Sequence, residues 1–159
     1  MRISLLFIVL FFVLSSCTEV ELLPAESTDV IKKIESYKGD KAVILNIWAL
    51  WCVPCVEEFP MIVELGKQNN ELEVVFVSAD FEEQYEDVKI FLNKQGVKPF
   101  SYIKKEKDEA FIEGINSKWS GSLPFTVVFS KKSGSIVDSW EGKEPESRFE
   151  IAVNIALNS

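Results

Sequence analysis

NIWALWCVPCVEEFP, Asn46 to Pro60, sets two cysteines two residues apart at the end of an apolar run, with Pro54 between them. The run before it, Lys41 to Ala49 (KAVILNIWA), is continuous and rich in β-branched residues, the pattern of a strand buried on both faces. Residues 52–68 then follow as a helix that begins at the cysteines. Pro60 lies in its interior and predicts a kink one turn or more past them. Cys52 and Cys55 therefore stand where a strand hands over to a helix. A pair so placed is half of a metal site, a structural staple, or a redox couple.

Composition narrows these choices. A chain of 159 residues suits one domain with a real core. It contains no histidine, which removes Ser-His and Cys-His nucleophilic catalysis, His-ligated zinc or copper, and histidine pH switching together. A formal charge of −8, from 25 acidic against 17 basic residues, argues against a nucleic-acid footprint, which needs a basic face. Structural zinc wants four nitrogen or sulfur ligands, so two thiolates fall short unless two chains share the ion. A Cu(I) carrier remains an alternative, since soft thiolates suit that ion, although only Met61 lies near to assist. No resident metal or cofactor is expected beyond the cysteines themselves.

The amino terminus reads MRISLLFIVLFFVLSSC. One cation at Arg2, an apolar stretch from Ile3 to Leu14 and small residues before Cys17 make a secretory signal, too short to span a bilayer comfortably. Leu14-Ser15-Ser16-Cys17 resembles the bacterial lipobox, in which the peptide is cut before the cysteine and the cysteine is acylated. Residues 1–16 are then a signal peptide, 17–26 a polar lipid-anchored tether containing Pro24, and 27–159 the folded domain. An extracytoplasmic, membrane-anchored location follows. With Cys17 occupied by lipid, Cys52 and Cys55 have only each other.

Along the rest of the chain, Ser27-Thr28-Asp29 caps a helix carrying Val30, Ile31, Ile34 and Tyr37, stopped by Gly39. Leu72 to Asp80 is a second buried strand. Glu82 to Gln95 is a helix ended by Gly96. Phe100 to Ile103 is a short strand and Asp108 to Ile115 a short helix leading to Trp119. Ser122 to Ser130 and residues 135–142 form a hairpin around Lys131–Gly134, and a last helix starts near Pro145 with Phe149, Ala152, Val153, Ala156 and Leu157 on its apolar face. This order predicts an α/β fold, a central mixed sheet flanked by helices on both faces.

WxxWCxPC at Trp48 to Cys55, EEFP at Glu57 to Pro60, VVFVSAD at Val74 to Asp80 and LPFTVVF at Leu123 to Phe129 together resemble the thioredoxin fold, and more closely the membrane-tethered, TlpA-type thiol-disulfide oxidoreductases. The stretch between Asp80 and Trp119 occupies the place of the insertion such proteins carry in mid-fold. Cytosolic thioredoxins have a buried aspartate six residues before the first cysteine. Here that position is Asn46, so any such role must lie elsewhere.

Thiol chemistry explains why the residues would be arranged this way. Only a thiolate attacks a disulfide, and an ordinary cysteine with a pKa of roughly 8.5 is mostly protonated at neutral pH. A sulfur at a helix start meets unpaired N–H groups and the positive end of the helix dipole, which favour the thiolate. Cys52 is thus the nucleophile. Cys55, one turn on, is the thiol that resolves the mixed disulfide. A non-cycling staple is a poor reading, because so short a loop constrains little unfolded-chain entropy.

The resemblance implies further roles. The proline matching Pro124 is cis and packs beside the cysteines, which leaves the backbone of Leu123 to pair with a bound peptide. Trp51 forms an apolar lip beside the reactive sulfur while Trp48 packs beneath. Glu58, three residues past Cys55, matches a functional glutamate that exchanges a proton with the pair. The implied activity is disulfide reduction, in cytochrome c maturation or a related process, on cysteine-containing exported proteins and with a membrane-associated thiol as electron donor. Net oxidation or isomerisation is the alternative direction.

Overall fold

The computed structural model describes residues 19–159. The signal-peptide reading of residues 1–16 and the acylation site Cys17 lie outside the described residues. Six strands form one sheet: β1 (Glu21–Ala25), β2 (Ala42–Trp48), β3 (Leu72–Ser78), β4 (Phe100–Lys104), β5 (Phe125–Phe129) and β6 (Ile136–Glu141). Their order is β1-β4-β3-β2-β5-β6. The first four are mutually parallel, while β5 runs antiparallel to β2 and β6 antiparallel to β5. Five helices complete the fold: α1 (Ser27–Glu35), α2 (Val53–Gln68), α3 (Tyr85–Gln95), α4 (Asp108–Ile115) and α5 (Glu146–Asn158).

All seven residues of β2 are buried, as its unbroken apolar run predicts for a central strand. Alternation along β2 then sorts the core. Ala42, Ile44 and Trp48 face α2, α3 and α5, with Phe59, Ile62, Leu92 and Phe149 as their partners. Val43, Leu45 and Ile47 face α1 and α4, where Val30, Ile34, Phe111 and Ile115 close the other layer. The sheet is therefore covered on both sides, and the cysteines belong to the first of these two cores.

Two expectations need correction. Glu21–Ala25, read as part of a tether from residue 17 to residue 26, is an edge strand: it pairs in parallel with Phe100–Lys104 and buries Leu22 and Ala25. The folded domain thus starts before Ser27. Pro24 is tolerated there because an edge strand has one side without ladder bonds. Residues 82–95 divide into a short 3-10 turn at Glu82–Gln84 and α3, which ends on Gly96 at φ 75°. Pro60 lies inside α2, as the sequence places it, and the helix runs from Val53 to Gln68.

No helix among the described residues is long and apolar enough to cross a membrane.

Candidate active site

The parallel strands deliver their carboxyl ends to one end of the sheet, the usual location of sites in α/β proteins. Cys52 caps α2 there, with Pro54 in the first turn, where a missing donor costs little. Cys52 and Cys55 are joined in a disulfide, their Cα atoms 5.3 Å apart. They differ in access: Cys52 is 6% exposed and Cys55 1%. The more exposed residue is the one at the helix start.

Two side chains flank this pair on the surface. Trp51 is 60% exposed and Val53 is 66% exposed, an unusual state for large apolar groups in adjoining loop and helix. Trp48 is fully buried against Phe59 and Phe91, with centroids 4.7 and 4.9 Å away. The Leu123–Pro124 bond is cis. Pro124 is buried, its carbonyl accepting from Gly142 N–H at 2.8 Å. Among the described residues the backbone N–H and carbonyl of Leu123 have no hydrogen-bond partner. Leu123 and Trp51 share a groove of about 130 Å³, walled by Phe111 and Trp119. The insertion thereby reaches the site through α4 and the segment after it.

Beneath the cysteines lies a charged group without ordinary solvation. Glu58, one turn beyond Cys55 on α2, is 2% exposed. Its Oε1 accepts from Asn46 Nδ2 at 3.3 Å, and its Oε2 from Glu144 N–H at 3.3 Å. Burial pushes its carboxyl up to about 7, although those two donors and the nearby Lys143 ammonium pull the other way. Asn46 also donates to Thr126 Oγ1 at 3.0 Å, so β2, α2 and β5 meet in one polar network. Lys143 itself pairs with the exposed Glu57, 2.8 Å away, not with Glu58. A carboxyl titrating near neutrality can take or return a proton within one catalytic cycle.

Sequence reasoning missed two features. Asn46 supplies a donor to Glu58, so the carboxylate absent at position 46 has a counterpart on the neighbouring helix. Asp80, 1% exposed at the end of β3, accepts from Leu50 N–H at 3.1 and 3.0 Å and from Ser78 Oγ at 2.7 Å. It therefore fixes the loop that leads into Cys52. The buried-strand pattern ending in an acidic residue was the only trace of it in the sequence.

Among the described residues no group of three or more His, Cys, Asp or Glu side chains is placed to hold a metal.

Residues 9–140 match the AhpC/TSA family. The chain belongs to that family. Within it the sequence is 34% identical over 122 residues to the thiol-disulfide oxidoreductase ResA of Bacillus thuringiensis (strain Al Hakam), covering 75% of this chain and 66%, just under two thirds, of ResA. It is 32% identical over 125 residues to the thioredoxin-like protein YneN of Bacillus subtilis (strain 168), covering 74% of this chain and 68% of YneN. Among solved structures, a thiol:disulfide interchange protein of the thioredoxin family from Chlorobium tepidum TLS superposes with a TM-score of 0.62 at 28% identity, over 77% of this chain and 83% of that one. The fold is therefore the thioredoxin fold. The Cys52–Cys55 disulfide stands at the start of α2 in that fold.

Proposed function

We propose that the protein is an extracytoplasmic oxidoreductase that reduces disulfides in other exported proteins, held to a membrane by lipid on Cys17. The observation that carries this reading is the cysteine pair at the start of α2, with Cys52 the more exposed residue and Glu58 buried one turn past Cys55. In the reduced protein the Cys52 thiolate attacks a substrate disulfide. One substrate sulfur leaves as a thiol, and the other stays bonded to Cys52. Cys55 then loses its proton to Glu58 and attacks Cys52, so the second substrate thiol leaves and the Cys52–Cys55 disulfide reforms. Two electrons have passed from the pair to the substrate. A membrane-associated thiol donor returns them, and no cofactor beyond the cysteines takes part.

Trp51 and Leu123 receive the substrate chain. The unpartnered backbone of Leu123 offers it one donor and one acceptor, and Pro124 holds that segment beside the pair.

Single substitutions test the assignment. Cys52→Ser should abolish both reductase activity and covalent capture, whereas Cys55→Ser should accumulate substrate as a long-lived mixed disulfide. Capture through Cys55 with Cys52 dispensable would overturn it. Equilibration against a glutathione couple gives the direction: a potential well below that of glutathione supports reduction, and one well above it supports oxidation. Fatty-acid labelling that persists unchanged in Cys17→Ala would remove the anchor.

A further inference from the structure

Next to the cysteine pair, the surface changes character across a single side chain. Phe81, 69% exposed, borders two depressions, and Lys104 borders both as well. On one side is the aromatic groove of Trp51, Phe111, Trp119 and Leu123. On the other is a wider hollow of about 810 Å³ that carries Glu82, Glu83 and Glu106. Glu106 is engaged by Ser27 N–H at 2.5 Å. Glu82 and Glu83 are exposed, and among the described residues neither is in an ion pair.

The two lysines that line these depressions are already matched, while the exposed Lys107 and Lys118 nearby are in no ion pair among the described residues. Lys104 pairs with Asp108 at 2.7 Å and Lys105 with Glu26 at 3.5 Å. Residues 80–87, DFEEQYED, add acid without a single base. The lining of the two depressions carries five carboxylates, Asp80, Glu82, Glu83, Glu106 and Asp108, against two lysines, Lys104 and Lys105. The surface beside Trp51 and Phe81 is therefore net negative. An apolar groove beside uncompensated carboxylates rejects an acidic segment and attracts an apolar residue accompanied by a cation.

We propose that the cysteine end selects protein substrates whose reactive cysteine is flanked, within a few residues, by an apolar side chain and by lysine or arginine. The apolar side chain enters the groove, and the cation passes Phe81 to meet Glu82 and Glu83. This choice of substrate rests on the thiol-disulfide reading above.

The test uses three peptides with one internal disulfide, alike except for the flanks: leucine with two arginines, leucine with two glutamates, and serine with two arginines. At low salt the leucine–arginine peptide should be reduced with a kcat/KM about tenfold above either of the others, the gap lying in KM. The gap to the glutamate peptide should collapse at about 1 M salt, where the screening length is about 3 Å. It should also collapse in Glu82→Gln/Glu83→Gln. Binding is read separately by calorimetry, with serine replacing both peptide cysteines, and reduction of the small neutral hydroxyethyl disulfide reads the chemistry alone. Reduction of hydroxyethyl disulfide together with equal affinity for arginine and glutamate flanks overturns the docking inference. Failure to reduce it, with the arginine preference in binding retained, overturns the reductase reading and leaves the docking surface standing.

Discussion

Replacing Glu58 with glutamine should reverse the order of stability of the two proteins as pH rises. In the folded chain the Glu58 carboxyl titrates at about 7 instead of 4.5, chiefly through burial. The folded state therefore holds a proton that the unfolded chain releases above pH 4.5. Because the native state binds more protons in this window, stability must fall as pH rises from 4.5 to about 7 and level off above it. A shift of about 2.5 units corresponds to about 3 kcal/mol at about 1.4 kcal/mol per unit. Glu58→Gln removes that fall. Its amide offers one acceptor oxygen, so it cannot receive both Asn46 Nδ2 and Glu144 N–H, a pH-independent loss of about 1 kcal/mol. At about pH 4.5 the variant should be the less stable protein by about 1 kcal/mol, and at about pH 8 the more stable by about 2 kcal/mol, with the curves crossing between about pH 5 and 6. Urea unfolding of the disulfide-bonded forms at constant temperature measures this. With no histidine in the chain, little else with an ordinary pKa titrates in the window. Parallel curves for the two proteins, or a wild-type curve that is flat or rises between pH 5 and 7, would refute the reasoning.

Asp80→Asn should cost about 1–3 kcal/mol and slow disulfide exchange, because an amide can accept Leu50 N–H through only one oxygen and the loop before Cys52 loosens; unfolding curves and exchange rates on the same samples check both. Gly114→Ala should destabilise by about 1–3 kcal/mol, since its Cβ would lie 2.1 Å from Ser27 Oγ and 2.6 Å from Ser27 Cβ, wedging α4 from α1. Ser27→Gly in the same chain should recover part of the loss in a double-mutant cycle. Asp138 is held below the usual carboxylate range by its hydrogen bonds from Arg148, one of them 2.8 Å long. A depressed folded pKa contributes stability above the unfolded value and loses it as pH falls through the folded one. Asp138→Asn should therefore weaken the protein at neutral pH, with the difference closing below the normal carboxylate range in acid unfolding.

The parts of the fold that were legible from sequence are those in which a local pattern and the tertiary environment agree. The unbroken apolar run of β2 could only be a strand buried on both faces, and the helix beginning at Cys52 followed from its position after that strand. Glu58 was placed one turn past Cys55 by spacing. Its burial was not, because the lid over it is the backbone of Glu144, far along the chain. β1 was read as a tether since Glu19, Glu21 and Pro24 look like linker residues. What makes it a strand is its pairing with β4, a non-local fact. The walls of the groove belong to the same class: Phe111 and Trp119 come from the insertion, whose local pattern shows a short helix and no hint that it shares a groove with Trp51.

β1 also bears on which way the reactive end would face if lipid on Cys17 held the chain to a membrane. It enters the sheet at the end where β2, β3 and β4 begin, while Cys52 stands at the end where β2 finishes. Were Cys17 acylated, four peptide units, at about 3.4 Å each roughly 14 Å of chain, would join the lipid to Glu21. On so short a leash the end of the sheet where β1 begins would stay near the bilayer, and in an upright pose the sulfurs would be raised by the seven residues of β2, or roughly 23 Å. Substrates in the surrounding space would meet the disulfide head-on. A thiol donor residing in the same bilayer would need a domain of its own that projects as far, and a donor whose cysteines sat flush with the lipid headgroups would be out of reach.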